Sequence, residues 1–352
     1  VKSAVMIGPC PDAKGGMASV VAVYRENGLF SGKRCRYLTT ATEGRAIRKL
    51  WVATFALSRF AFMLLMHRVS LLHVHGASHG SFWRKRVFMR LAGLFSVPVI
   101  FHLHGGEFRQ FVDQRLAPSA RRKVVGSLKA CSLIYCLNDE VGHWLRKLAP
   151  GVPVQVLPNP INFPAADEIS ESRDASILFL GRLEQEKGVF DLVNAVAAIA
   201  QQVPGVRLLL CGVGSAEAPL KRLVAHRGIS SQVEFPGWVE GDAKADLMRR
   251  AGVFVLPSYA EGMPMSVLEA MAAGTPVVAS RVGAVTEMLD DGNCGFVVEP
   301  GNIEQLGEAI LAALDCVCSA PLSEKAKMRV SERYSAEVVL DRLRWQYAKL
   351  AQ

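Results

Sequence analysis

The sequence predicts an α/β protein made of two doubly wound, parallel-sheet domains, and three observations carry that expectation. Short apolar runs alternate with longer helical patterns along the 352 residues. The alternation breaks once, in a Pro-rich stretch near the middle, and then restarts. Half of the residues are hydrophobic, enough to fill two cores in a chain of this length.

Strand-like runs at residues 4–8, 71–75, 97–103 and 133–137 are separated by helical patterns at 17–29, 46–66, 82–95 and 120–129. Runs that are apolar on both faces suit strands covered by helices on both sides, as in a parallel sheet. The break reads Leu157-Pro-Asn-Pro-Ile-Asn-Phe-Pro164, followed by charged, helix-poor residues to Arg173, and is the expected linker. Strands follow at 176–180, 206–211, 233–235, 253–256, 276–279 and 296–298, with helices including 190–202 and 303–314. The expected domains are 1–164 and 165–335, with a helix over 336–352 packing back on the first. Two such sheets leave an inter-domain cleft, with ligands at the carboxyl ends of strands. Neither a fixed-period repeat nor a low-complexity segment occurs.

The net charge of +9 is unevenly placed: residues 1–165 carry 23 Lys/Arg against 7 Asp/Glu, and residues 166–352 carry 18 against 25. A basic first half suits an anionic partner, nucleic acid or the phosphates of a membrane surface, or is simply a solvated basic face. The eight cysteines include no CxxC pair and no metal-type spacing with histidine, and are expected to be buried thiols in a reducing compartment. No leader is expected ahead of the first strand, and the most apolar stretch, residues 51–66, is interrupted by Ser58 and Arg59. It falls short of the ~20 residues that span a bilayer, so a soluble or membrane-surface protein is expected.

The most informative segment runs from Ser258 through Glu261, Gly262, Met263, Pro264, Met265, Ser266, Val267 and Glu269 to Gly274 and Pro276. It reads as a strand end, a glycine-containing loop, a helix with Pro264 near its first position, and a glycine stop. Free amides at the start of that helix suit a diphosphate. Carboxylates near a phosphate are repelled by it, so Glu261 and Glu269 are expected to accept hydrogen bonds from sugar and ribose hydroxyls. The bland alternative for the pair is capping and surface solvation. Met265, Leu268 and Met271, at helical spacing, are expected in the core.

A second loop, Gly181-Arg182-Leu183-Glu184-Gln185-Glu186-Lys187-Gly188, follows the apolar run 176–180. Arg182 can bind phosphate bidentately and Lys187 supplies a point charge, unless they pair with Glu184 or Glu186. Near the N-terminus, the loop from Gly8 to Gly16 lacks GxGxxG spacing, as does Gly212-Val-Gly214, so a nicotinamide cofactor is not expected. Gly15 and Gly16 still permit close backbone approach to a ligand. Histidines gather at strand ends, His73 with His75 and His102 with His104. With no third ligand evident and no Asp-x-Asp pair, metal binding is not expected. His73, His75 and His102 read as satisfied core histidines or as ones that support a neighbouring ligand, and His104, at a Gly-Gly turn, as the functional one.

Taken in order, Gly15-Gly16, His104-Gly105-Gly106, Gly181-Arg182-Leu183 with Lys187-Gly188, and the Glu-x7-Glu element Glu261–Glu269 resemble the retaining glycosyltransferases of family 4, which have the GT-B fold. The resemblance covers nearly the whole chain. It implies two Rossmann-like domains facing a cleft, a UDP- or GDP-sugar donor, a saccharide acceptor, and no cofactor or metal. By position it places Glu261 on donor-sugar hydroxyls, Glu269 on the ribose, and the amides of Gly262 to Ser266 along sugar and phosphate. Arg182 and Lys187 neutralise the diphosphate, His104 lies beside the sugar, and Gly15-Gly16 closes over the donor. The nucleobase falls near Gly237-Trp238-Val239, where Trp238 could instead anchor a turn.

Residues 81–95 alternate aromatic and basic side chains and suit either an anionic leaflet or a buried helix with a basic edge. If they dock, the acceptor is expected to be lipid-linked, at the cytoplasmic face of a bacterial membrane, in surface-polysaccharide assembly. The rivals are a nucleotide-sugar epimerase or hydrolase, and a basic nucleic-acid-binding protein, for which no recognition motif is present.

Overall fold

The structure, a computed structural model, describes residues 2–42, 44, 46–163, 173–203 and 205–351. Among them, two six-stranded sheets form, each the centre of its own unit: Val1–Asn162 with Tyr334–Gln352, and Phe163–Arg333. The boundary expected at residue 164 lies outside the described residues, as do residues 164–172 of the linker expected over 157–173, while Phe163, expected in the first domain, falls in the second unit.

The first sheet contains β1 (Ser3–Pro9), β2 (Cys35–Ala41), β3 (Val69–Gly76), β4 (Val99–Leu103), β5 (Leu133–Cys136) and β6 (Val154–Val156). They lie in the order β2-β1-β3-β4-β5-β6, all parallel. β4 and β5 are buried along their whole length, which is why they read as unbroken apolar runs. The sequence reading missed β2 and β6, and both are edge strands. β2 carries Arg36, Thr39 and Thr40 among its apolar residues, and β6 has only three residues, so neither matches the buried-strand template.

The second sheet contains β7 (Ser176–Leu180), β8 (Arg207–Cys211), β9 (Val233–Gly237), β10 (Val253–Leu256), β11 (Val277–Ser280) and β12 (Phe296–Val298), in the order β12-β11-β10-β7-β8-β9, again parallel. Both sheets therefore reverse strand order once, between β1 and β3 and between β7 and β10. In open α/β sheets such a reversal opens a crevice at the strands' carboxyl ends, where loops diverge to opposite faces.

The helix Ala336–Leu350 belongs to the first unit, and so do Tyr334 and Ser335, which the sequence reading put in the second. The reason is a short backbone ladder. Ile161 bridges Ser335, its amide donates to the Tyr334 carbonyl at 2.9 Å, and the Ala336 amide donates back to Ile161 at 2.9 Å. Ser335 caps the helix through Val338 N, and Tyr347 reaches His73 Nδ1 at 2.6 Å.

Two expectations about surfaces change. The helix Gly80–Leu94 does not present its basic residues as a row: Lys85 is 2 % exposed and donates to Ser81 Oγ, while Phe82 and Phe88 fill the core. Its neighbour Ala46–Leu65 buries Ala56, Phe60, Met63 and Leu64 and leaves Ile47, Trp51, Phe55, Phe62 and Leu65 exposed along the other side. Among the described residues no single helix is long and apolar enough to cross a membrane. Of the cysteines, Cys318 is exposed and Cys10 half-buried, against the expectation of burial.

Candidate functional site

In the second unit the two loops singled out from sequence follow β7 and β10, the pair at the strand-order reversal. The first leaves β7 through Gly181, makes one turn of 3-10 helix at Gln185–Lys187, and enters the helix Val189–Ile199 at Gly188. Gly188 has φ +66°, and a Cβ there would stand 2.0 Å from the Pro257 carbonyl oxygen. Only glycine lets this loop lie against the one after β10. The Gly212–Gly214 loop, which fails the dinucleotide spacing, has a packing role: Cβ atoms at Gly212 and Gly214 would meet the carbonyls of Gly181 and Leu183 at 1.8 and 2.1 Å. Ser215 holds Glu184 by its amide at 3.2 Å and its hydroxyl at 2.5 Å, and these bonds keep the Glu184 carboxyl below its ordinary range.

The contact between the two loops is ionic. Lys187 Nζ donates to Glu261 Oε1 at 2.6 Å, and Ser258 Oγ donates to the same oxygen at 2.7 Å. Lys187 thus pairs with neither Glu184 nor Glu186, the partners weighed from sequence, because its one-turn helix aims it across to the next loop. It retains two N–H donors, and Glu261 retains Oε2. Arg182 is exposed and donates no side-chain hydrogen bond among the described residues, although its charge helps to lower the Glu184 pKa.

Behind Glu261, Gly283 at φ +55° packs so closely that a Cβ would lie 2.3 Å from the Glu261 carbonyl oxygen, and Ala284 N donates to Gly262 O at 2.8 Å. The helix Met265–Ala272 begins with Pro264 as its cap residue, and no side chain caps it. Its first amides are therefore left for a ligand or solvent. Met263, Pro264, Met265 and Val267 are buried, so any part they play in binding is through backbone. Ser266 is half-buried, and Gly274, at φ +67°, ends the helix.

Glu269, in the second turn, has Oε2 2.5 Å from Lys244 Nζ. The distance is that of an ion pair, but the same oxygen has no aligned hydrogen bond, so we treat the contact as electrostatic. Lys244, on the helix Gly241–Arg250, was not found from sequence. No motif marks it, and only the fold brings it to Glu269. Trp238 and Val239 are half-buried on the turn after β9, where Trp238 Nε1 donates to Glu240 at 3.1 Å, so a turn-anchoring bond is present there.

In the first unit, Gly15 caps the helix Gly16–Glu26 at φ 134°, with nothing within 4 Å of a would-be Cβ, and both glycines are exposed. His104 stands just past β4, its amide bonded to Gly76 O at 2.9 Å and its Nε2 2.6 Å from His75 Nδ1. Burial first, then the neighbouring His102 and His73, push its pKa well below the usual range, while an Asn159 hydrogen bond opposes this. His73, His75 and His102 are fully buried, each with one ring nitrogen hydrogen-bonded, while His73 Nε2, His75 Nε2 and His102 Nδ1 have no partner among the described residues. Register groups His102 with the first two imidazoles, as it stands directly opposite His75.

Comparison with known proteins gives a family match in the second unit. Residues 165–331 match the family Glycosyl transferases group 1. Over both units the chain is similar to a phosphatidyl-myo-inositol mannosyltransferase of Mycobacterium leprae, 28% identical across 87% of this chain and 86% of that protein. It is also similar to a glycogen synthase of Mycobacterium tuberculosis, 28% identical across 71% of this chain. The chain spans about 62% of the length of that relative. Among solved structures, Anabaena HepE in complex with UDP-glucose superposes with TM-score 0.75 at 17% identity, covering 99% of each chain. That likeness gives the fold: both units are Rossmann-like and the architecture is GT-B, with the group 1 match in the C-terminal of the two.

Proposed function

We propose that this chain is a retaining glycosyltransferase of family 4 that moves a sugar from a nucleoside-diphosphate sugar to a saccharide acceptor. The observation that carries the reading is the meeting of the two group 1 loops at the β7/β10 reversal, fastened by Lys187 and Glu261 at 2.6 Å. It gathers two cations, an uncapped helix start and a carboxylate with one free oxygen at the place where an α/β sheet binds ligands. The match to a glycosyltransferase family and the likeness to a UDP-glucose complex support the same donor class.

In this reading Arg182 and the two remaining donors of Lys187 compensate the diphosphate together with the amides of the helix Met265–Ala272, and no metal is needed there. Glu261 Oε2 accepts from a sugar hydroxyl and Glu269 from the ribose. Gly15, Gly16 and His104 are assigned to the donor by resemblance. The acceptor oxygen attacks the anomeric carbon from the face the diphosphate leaves. The bond from carbon to the diphosphate oxygen breaks, its electron pair passes to the phosphate, and that phosphate takes the acceptor's proton.

A thermal-shift screen across nucleotide sugars tests the donor, since a ligand bound only to the native state raises Tm. One UDP- or GDP-sugar is expected to raise it in the native chain and not in Glu269→Ala. Proton NMR of the first-formed product is expected to show the donor's anomeric configuration. Inversion overturns retention, and nucleotide-sugar turnover undiminished when acceptor is withheld favours an epimerase or hydrolase.

The acceptor is proposed to be lipid-linked, in bacterial surface-polysaccharide assembly at the cytoplasmic face of the membrane. Support comes from the helix Ala46–Leu65. Ile47, Trp51, Phe55, Phe62 and Leu65 are each more than half exposed on one stripe, with Arg48, Lys49 and Arg59 exposed beside them. Apolar and aromatic side chains among cations fit an anionic leaflet. Sedimentation with phosphatidylglycerol vesicles is expected to fall severalfold in a Trp51→Ser, Phe55→Ser, Phe62→Ser variant and to change little when Arg84, Lys85 and Arg86 are neutralised. The opposite ranking returns the contact to residues 81–95. Undiminished sedimentation in both variants overturns membrane docking through either helix.

A further inference from the structure

We propose that His73, His75 and His102 form a binding site for one divalent transition-metal cation of the zinc class inside the first unit. His73 and His75 are two apart on β3 and so share a face of the sheet, and His102 on β4 is the in-register neighbour of His75. All three side chains are fully buried. One nitrogen of each is already used: His73 Nδ1 with Tyr347 Oη at 2.6 Å, His75 Nδ1 with His104 Nε2 at 2.6 Å, and His102 Nε2 donating to the Leu157 carbonyl at 3.2 Å. The other nitrogen of each is buried and has no partner among the described residues.

One orienting hydrogen bond and one free nitrogen on every ring is the arrangement that metal-ligating histidines adopt. A chance stack of core histidines carries no such requirement, and burying three unpartnered nitrogens costs free energy with nothing returned. One nitrogen from each ring already lies within 4.8 Å of the others. Tetrahedral zinc with bonds of ~2.0–2.1 Å places ligand nitrogens roughly 3.4 Å apart, so the site must contract by up to about 1.4 Å. The His73 and His75 rings stack at 8° with centroids 4.8 Å apart, which leaves their in-plane lone pairs nearly parallel. Metal capture therefore turns at least one ring.

The donor set fixes the class of ion. Three imidazoles without a carboxylate suit zinc, copper or nickel and not magnesium or calcium. Lys85, buried with Ser81 as its partner, opposes the cation electrostatically and keeps the site from being a tight one. The site belongs to the first unit, and the proposed charge compensation by Arg182 and Lys187 belongs to the second. Its hydrogen bond from His75 to His104 gives the metal a way to hold His104 in one tautomer.

The test uses the whole chain, stripped by chelator and dialysed, and reads metal and not activity. Titration with Co2+ is expected to give one equivalent of an intense visible band typical of tetrahedral nitrogen coordination, which Zn2+ then bleaches, and one equivalent of Zn2+ is expected to raise Tm by several degrees. The His73→Ala and His102→Ala variants are expected to lose the band while keeping the far-UV circular dichroism of the parent. Absence of the band in the parent chain, or a weak octahedral spectrum, overturns the proposal whether or not the variants fold. So does equal uptake by folded variants, which would place the ion on exposed histidines such as His67. Failure of the glycosyltransferase reading would leave all of these readouts unchanged.

Discussion

Both units build a parallel sheet that reverses strand order once, and they load the reversal with opposite chemistry. In the second unit it carries formal charges that solvent partly reaches: Glu261 against Lys187 at 2.6 Å and Glu269 against Lys244 at 2.5 Å. In the first it carries imidazoles that burial holds neutral, His73, His75 and His102, together with the less buried His104. An ion pair close to water can trade its partner for a ligand phosphate or hydroxyl at small cost, because solvent covers the intermediate arrangement. A buried imidazole gives up a partner only where a ligand replaces the lost contact, because no solvent covers the change. The second unit is thus equipped to exchange partners readily, and the first to hold its arrangement until a ligand replaces a contact.

Breaking the second unit's loop contact is the most damaging test of that contrast. Lys187→Ala removes a compensating cation and leaves Glu261, only 10 % exposed at its side chain, without its ionic partner. Loss of one preorganised electrostatic contact of this kind costs about 10²–10³-fold in turnover. Release of nucleoside diphosphate under saturating donor measures it, and turnover within a few-fold of the parent would remove Lys187 from the mechanism. His75→Ala, by contrast, is expected to lower turnover by less, with an altered pH profile, because it acts through His104.

Next in size is a pair of glycine substitutions, one per unit. Gly188→Ala combines a left-handed φ of +66° with a Cβ 2.0 Å from the Pro257 carbonyl, so the two loops must separate. Strain of this kind costs about 1–3 kcal/mol before the clash is counted. Gly15→Ala, at φ +134° with nothing within 4 Å, meets conformational strain alone. Denaturant unfolding is expected to show a clearly larger loss for Gly188→Ala, and equal losses would mean that the loop contact contributes nothing to the fold.

The same contrast explains what the sequence disclosed. Buried strands such as β7 and β10 were legible to the residue because helices cover both faces and every position is apolar. The edge strands β2 and β6 were not, since a strand with one free side keeps polar residues. Loop residues whose chemistry is local, such as Gly188, Pro264 and Gly274, declared themselves by type. Lys244 and the grouping of His102 with His73 and His75 did not, because pairing between distant segments is set by register and helix packing, which no spacing encodes. The exposed stripe of the helix Ala46–Leu65 was not legible for a related reason: only packing separates the stripe holding Phe60 from the stripe holding Phe55.

The smallest effect is expected where the contact is most open. The Lys244 and Glu269 side chains are 28 % and 22 % exposed, so their attraction is screened and removing it costs no more than about 1 kcal/mol of stability. Lys244→Ala is therefore expected to leave Tm nearly unchanged. Its effect on the reaction should be sharper: without Lys244, Glu269 is free to rotate, and a ribose hydroxyl then has to order it on binding. The expected signature is a KM for donor raised about tenfold, equivalent to ~1.4 kcal/mol, with kcat unaltered, because the ribose is held equally in ground and transition states. Steady-state kinetics over a donor series separates the two constants. A fall in kcat at constant KM would instead place Lys244 at the departing diphosphate, and the division of labour between Glu269 as hydroxyl acceptor and Lys187 as charge compensator would have to be redrawn.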